Sequence, residues 1–472
     1  MSTERQPSAV EWLRRLQRRQ ISAVELVGQT AARIREADAR VHAVVDADPG
    51  QQLEAAREAD ARRARGDRAP LLGLPLTIKD SIDVAGLRCT GGSWARERFV
   101  PARDATAVAR LRAAGAIIMA KTNVPEYSSS YETDNAVFGR TVHPRDPERT
   151  PGGSSGGESA LLGADASIAG VGLDGGGSIR VPSHYCGTVG IRPTVGRIPD
   201  TGSWPSTRDV GYRDLMCIGP MARFVEDLAL LLPVMAGPDW IDPYAVPVPL
   251  GDPATVVVKG LKVGYYDHDG GAPVSPGTRA AVAAAARALA DAGAEVDEVE
   301  PPPGLGDATP IFFALVSADG GERTLRDLEG ARGRHHYQFR TLLEGFGKSL
   351  SVAEFFDVQG RLFAFRARLR QFLSAFDVIV NPVTTGPAPR HMEPPWGVDK
   401  ADYFKYAAFN YTHAWSLAGA PVAVAPAGEE GGLPIGVQLV AQPYRDHVAL
   451  AAAAVLEAAL GGFRPRAPAP NL

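Results

Sequence analysis

Apolar positions along this chain of 472 residues alternate between a helical period and short unbroken runs. Val24, Val27, Ala31 and Ile34 recur at the spacing of one face of an amphipathic helix. Ser22 with Glu25, and Ser8 with Glu11, fit the capping box, in which a serine and a glutamate three residues later satisfy each other's amides. Ile21 and Leu26 occupy the staple positions around the second cap, so two helices are predicted to open the chain. A third pattern over Gln51–Gly66, rich in Ala, Arg and Glu, reads as a solvated helix. Leu71–Ile78 is an apolar run bounded by Pro70 and a charged pair, which predicts a buried strand that delivers Lys79 at its end. Asp104 is the expected cap of a helix through Arg112, Gly115 its stop, and Ala116–Ala120 the next buried strand.

The alternation returns further on, with strands at Leu261–Tyr266, Glu295–Val299, Asp377–Asn381 and Ile435–Val440, and helices at Pro276–Ala292 and Asp446–Leu460. Helix alternating with strand predicts an α/β fold with a large central mixed sheet surrounded by helices. Pro243–Pro253 and Pro301–Gly306 break the periodicity, and Asp307–Phe376 reads as mostly helical. The expectation is one domain over 1–472 carrying a variable helical lobe over about 243–376.

Composition narrows the function. With 45% hydrophobic and 22% charged residues the chain resembles an ordinary globular protein, and a formal charge of −4 offers no field that would gather nucleic acid or an anionic membrane. A small neutral substrate is therefore expected, handled by a monomer or homodimer. Cys89, Cys186 and Cys217 are odd in number and widely spaced, which writes neither a disulfide framework nor a zinc site. The start of the chain leads into a charged helical pattern and no run of 18 apolar residues occurs, so a cytoplasmic location is expected. No metal or cofactor is predicted. His335 and His336 are adjacent, about 100° apart on a helix and poor co-ligands. His184 follows a candidate serine closely, but a packed loop histidine is the favoured reading.

The chemistry concentrates in two glycine-framed serines. Ser154 lies in Pro151-Gly-Gly-Ser154-Ser155-Gly-Gly157, and Ser178, which is 24 positions on, ends Gly172-Leu-Asp174-Gly175-Gly176-Gly177-Ser178. A serine hydroxyl needs a neighbouring base, and a lysine serves only where its surroundings keep it neutral, so Lys79, Ser154 and Ser178 form a candidate relay. Successive glycine amides can form a nest for a developing oxyanion, which makes Gly175, Gly176, Gly177 and Ser178 candidates for an oxyanion hole. Competing motifs fit less well. Gly170–Gly175 satisfies a dinucleotide fingerprint but is followed by two more glycines and soon by Pro182, where a helix should begin. Gly115–Thr122 resembles a phosphate loop with Ala120 in place of its glycine. Gly153–Gly157 also matches the nucleophile elbow of an α/β-hydrolase, which would make Ser155 an esterase nucleophile, but three prolines precede it where a strand is needed.

Taken together, Lys79, Pro151–Gly157 and Gly172–Pro182 resemble the amidase signature family. The resemblance extends over Cys186–Pro193, Gly219–Arg223 with Asp227, Asn381-Pro382, and Ala418–Pro421 ahead of Gly432–Gln438. It implies Ser178 as nucleophile, Ser154 as a bridging serine after a cis peptide bond, Lys79 as base, and an acyl-enzyme intermediate. Asp174 and Arg180 are expected to pair beside the nucleophile loop, and Ser155 to hydrogen-bond the lysine. Four departures stand out, one of them Val142 in place of a frequent arginine before the His143-Pro144 pair. Leu173 occupies a position where members usually carry Ser or Thr, the loop holding Tyr127, Ser128, Ser129 and Tyr131 differs from relatives and is expected to line the substrate cleft with Trp204 and Trp415, and Pro199–Pro205 differs from the glutaminase subunit. The leading expectation is a hydrolase of neutral C–N bonds in amides, anilides or aryl carbamates (urethanes). The alternatives are the glutaminase subunit of a tRNA-dependent amidotransferase, the Ser155 esterase, and a binding module on an inactive scaffold.

Overall fold

In the computed structural model, which describes residues 5–205, 213–399 and 407–465, the apolar runs become the inner strands of a single large sheet. In chain order the strands are β1 (Val44–Asp46), β2 (Pro75–Lys79), β3 (Ile117–Thr122), β4 (Asp134–Asn135), β5 (Gly139–Arg140), β6 (Ala169–Asp174) and β7 (Val189–Arg192). They continue with β8 (Cys217–Ala222), β9 (Lys262–Tyr265), β10 (Glu295–Glu298), β11 (Val378–Pro382), β12 (Val422–Glu430) and β13 (Leu433–Ala441). Eleven of them form the sheet in the order β1-β3-β2-β6-β8-β7-β12-β13-β11-β9-β10, while β4 and β5 pair separately. The sheet is mixed. Strand β2 runs parallel to both β3 and β6, whereas β6 pairs antiparallel with β8.

Strands buried on both faces need unbroken apolar sequence, and β2, β3, β6 and β8 are buried at every position. That environment surrounds Lys79, the last residue of β2. The long hairpin of β12 and β13 turns on Gly431 and Gly432, both at positive φ, as a tight two-residue turn requires.

The helices cover the sheet's faces. Ser22 and Glu25 make the complete capping box at the start of helix Ala23–Val41. Ser8 caps helix Ala9–Gln17, but Glu11 reaches Arg15 Nε at 3.1 Å and does not return to the cap. Asp104 is not the cap expected of it. Helix Thr106–Ala113 starts at Ala105 with no side-chain cap, and the Asp104 carboxylate accepts from the Ala85 amide at 2.8 Å and faces Arg112 at 3.0 Å. Within 243–376, β9, helix Pro276–Asp291 and β10 join the sheet edge, and the helical part gathers at Ala308–Val316, Glu322–Asp327, Tyr337–Gly345 and Val352–Leu373. Helices Ala308–Val316 and Val352–Leu373 pack with helix Asn410–Ala418 around a second apolar cluster that includes Ile311, Leu315, Phe365, Leu369 and Trp415. Among the described residues no helix is long and apolar enough to cross a membrane.

Candidate active site

Strand β2 brings Lys79 to the carboxyl end of the sheet, completely shielded from solvent. Its Nζ is hydrogen-bonded to Ser154 Oγ at 2.7 Å and to the Leu173 carbonyl at 3.1 Å. Burial opposes the charged form of an amine, and the Lys79 pKa falls from 10.5 to about 7 even though the Asp174 charge pulls the other way. Lys79 is thus a lysine that gives up its proton near neutrality.

Glu158 supports this end of the sheet from helix Gly156–Gly163. One carboxylate oxygen accepts from the Thr77 hydroxyl on β2, and the other from Thr122 on β3 at 3.1 Å. Burial pushes its pKa up to about 7 against those hydrogen bonds. The sequence reading passed over Glu158. An acid among Gly, Ser, Ala and Leu on an otherwise uncharged helix was the available signal.

Ser154 follows a cis Gly153–Ser154 peptide bond. The Ser155 amide donates to the Ser178 carbonyl at 3.1 Å and so ties the two serine loops together. The Ser155 hydroxyl does not take the place expected of it beside Lys79. It lies 3.4 Å from both the amide and the carbonyl of Leu173, fully buried, and it is not part of the cavity wall. No strand precedes it either, so the elbow reading that would make Ser155 an esterase nucleophile is corrected on both counts. Leu173 meets the lysine through its backbone, where a carbonyl serves as the hydrogen-bond partner without any side-chain hydroxyl.

The nucleophile loop is built around Asp174, the last residue of β6. Its carboxylate accepts the Gly177 amide at 2.8 Å and the Ile179 amide at 3.0 Å, and Arg180 closes on both oxygens at 2.9 and 3.0 Å. Arg192 adds a second cation 3.7 Å away. Burial alone would raise the Asp174 carboxyl, but the Arg180 and Arg192 charges with the amide hydrogen bonds hold it well below the usual carboxylate range. Arg180 spends its remaining donors on the Thr412 carbonyl, Gln438 and Ser416, anchoring the loop to β13 and helix Asn410–Ala418. Because the Gly177 amide points at Asp174, it drops out of the expected oxyanion set. Among the described residues, the amides of Gly175, Gly176 and Ser178 donate to no protein acceptor.

Ser154, Ser178, Gly175 and Gly176 face one cavity, which has about 900 Å³ of empty space including its mouth. Tyr127, Ser128, Ser129 and Tyr131 line it, together with the unanticipated Phe312, Phe313, Phe339, Leu342 and Phe346 of the helical lobe. Sequence reasoning missed the lobe residues because they lie over 130 positions from Ser178 and carry no motif. Two aromatic expectations are corrected. Trp204 stands behind the wall, edge-on to Tyr127 at 5.0 Å, and Trp415 is a fully buried core residue donating to Asn381 at 3.3 Å. His184 is sealed between the Gly436 amide at 2.7 Å and the Gly386 carbonyl at 2.9 Å, and burial pushes its pKa down to about 4. His335 and His336 bind Glu126 and Asp134, and no metal-binding cluster occurs among the described residues.

The fold and this lysine–serine constellation define an amidase signature protein. The Amidase family model matches residues 25–450, and the chain belongs to that family. It is an amidase-family hydrolase acting on C–N bonds. Among curated relatives, a Glutamyl-tRNA(Gln) amidotransferase subunit from Roseiflexus sp. (strain RS-1) is 35% identical over 466 residues, covering 92% of each chain. Among solved structures, a protein described in connection with the evolutionary origins of an s-triazine catabolic enzyme superposes with a TM-score of 0.87 at 30% identity, covering 98% of this chain and all of the other. A bacterial aryl acylamidase superposes with a TM-score of 0.86 at 26% identity over 96% of both chains.

Proposed function

We propose that this protein is a serine amidohydrolase that cleaves neutral amides, anilides and aryl carbamates through an acyl-enzyme on Ser178. The observation that carries the reading is Lys79, buried, poised to be neutral near pH 7 and hydrogen-bonded to Ser154 on the wall of a cavity that also holds Ser178. As a neutral amine, Lys79 keeps an N–H on the Leu173 carbonyl and turns its lone pair to the Ser154 hydroxyl. Ser154 then passes its proton to Lys79 as it takes one from Ser178, and Ser178 Oγ attacks the substrate carbonyl. The Gly175, Gly176 and Ser178 amides stabilise the oxyanion, the relay returns a proton to the departing nitrogen, and water attacking by the same path releases the acid and restores Ser178. A carbamate leaves an alkoxycarbonyl group on Ser178 in place of an acyl group, and the proton path is the same.

The cavity supports a neutral, partly apolar substrate. Its wall carries six aromatic or aliphatic lobe residues and, among the described residues, no charged side chain. A second reading, the glutaminase subunit, has in its favour the 35% identity to an amidotransferase component. Free glutamine brings an ammonium and a carboxylate, and charges placed against an apolar wall without partners cost several kcal/mol each. This favours the first reading.

The test is a time course of arylamine release from a matched anilide and aryl carbamate, with wild type beside Ser178→Ala. Wild-type turnover that falls by at least about 10⁴-fold in the variant is the expected result. Turnover retained by Ser178→Ala rejects the nucleophile, and wild type acting on glutamine alone moves the assignment to the second reading.

A further inference from the structure

The Gly176–Gly177 peptide is clamped at both polar ends. Its N–H donates to Asp174 at 2.8 Å, and its carbonyl, that of Gly176, accepts from the Tyr131 hydroxyl at 2.9 Å. Three consecutive glycines leave φ and ψ widely open, and Gly177 sits at φ +137°, so this turn does not hold its own shape. The amides of Gly176 and Ser178 belong to the peptide units on either side of the clamped one. Fixing the middle plane fixes the directions in which those two N–H groups point.

Asp174 belongs to the sheet, but Tyr131 is held by the helical side of the cavity. Its ring stacks on Phe409 at 3.7 Å with 13° between the planes. Its hydroxyl lies 2.7 Å from Nε2 of His413, which stacks on Phe312 at 4.3 Å. Burial pushes the His413 pKa down to about 3, so the imidazole is neutral and carries one N–H. A phenol has a single proton, and its donation to Gly176 goes with the Nε2–H tautomer of His413, in which Nε2 donates to Tyr131 and Nδ1 accepts from the Thr309 hydroxyl at 2.8 Å.

We propose that Tyr131 is a positioning residue of the hydrolytic reaction, holding the Gly176 carbonyl away from the cavity so that the Gly176 and Ser178 amides meet the oxyanion. The proposal rests on Ser178 being the nucleophile. It gives Tyr131 an effect on the transition state where a residue that only lines the cavity would affect substrate binding.

Tyr131→Phe keeps the ring and its stacking and removes the hydroxyl. Losing an oxyanion donor outright costs about 10²- to 10³-fold, and misaiming donors that remain is expected to cost about 10-fold in kcat with KM within about 2-fold. Affinity for a trifluoromethyl ketone analogue of the substrate, which forms a hemiketal oxyanion on the serine, should fall by the same factor as kcat/KM. Phe409→Leu keeps the hydroxyl and loosens the ring. It should show the same pattern at about 2- to 3-fold and reports on the proposal even if Tyr131→Phe does not fold. A rise in KM with kcat and analogue affinity unchanged in both variants overturns the proposal. Turnover surviving in Ser178→Ala instead rejects the nucleophile assignment, whatever Tyr131→Phe does, so the two failures are separable.

Discussion

Lys79 should lower the stability of this protein in a pH-dependent way, and replacing it with methionine should remove that dependence. The folded protein releases the Lys79 proton near pH 7, whereas in the unfolded chain the amine holds it to about 10.5. Between those values the unfolded state binds more protons, so stability rises with pH. The penalty is full below about pH 7 and gone above about pH 10.5. Over three and a half pH units, at about 1.36 kcal/mol each, it amounts to about 5 kcal/mol. Between about pH 7 and pH 9.5 the recoverable part is about 3 kcal/mol. Lys79→Met fills the same space without a titrating group. It also leaves Ser154 and the Leu173 carbonyl short of a partner, but that loss is the same at every pH. Guanidinium unfolding of both proteins across this range, compared as a difference, should show wild type gaining about 3 kcal/mol on the variant. Parallel stability curves, agreeing within about 1 kcal/mol, would refute the claim that burial holds Lys79 neutral. In the same wild-type preparation kcat/KM should rise through a limb near pH 7 as the base loses its proton.

Asp174→Asn leaves Arg180 and Arg192 buried without their counter-charge, and thermal or denaturant unfolding should report a loss of about 3–5 kcal/mol. Gly177→Ala puts a methyl group 2.8 Å from the Thr412 hydroxyl at a φ that side chains rarely adopt. Steady-state kinetics should show kcat falling by at least about 10-fold, along with about 1–3 kcal/mol of stability. Leu173→Ser removes buried apolar volume and should cost about 2–4 kcal/mol in a denaturant melt. Its kcat should stay within about 3-fold of wild type, because the Leu173 carbonyl, and not its side chain, meets Lys79.

What the sequence determined by itself was local. The strand ending in Lys79, the full Ser22–Glu25 box, the helices from Pro276 and from Asp446, and the Asp174–Arg180 pair are all written in neighbouring residues, through apolar periodicity, caps and charge spacing. The glycine frames around Ser154 and Ser178 identified the candidate chemistry because backbone that must approach so closely excludes side chains. Strand β12 was missed despite its Gly431-Gly432 turn, since its apolar run is broken by Pro426 and Gly428. Tertiary structure alone decided which groups meet. It turned the Gly177 amide to Asp174, gave Lys79 a carbonyl where a hydroxyl was expected, put Ser155 behind the wall, moved Trp204 and Trp415 off the cleft, and brought Phe312, Phe339 and Phe346 into the lining of the cavity that Ser178 faces. Each of these depends on the direction of a peptide plane or on the packing of elements far apart in the chain. Neither quantity has a local period or a cap, so no reading of neighbouring residues contains it.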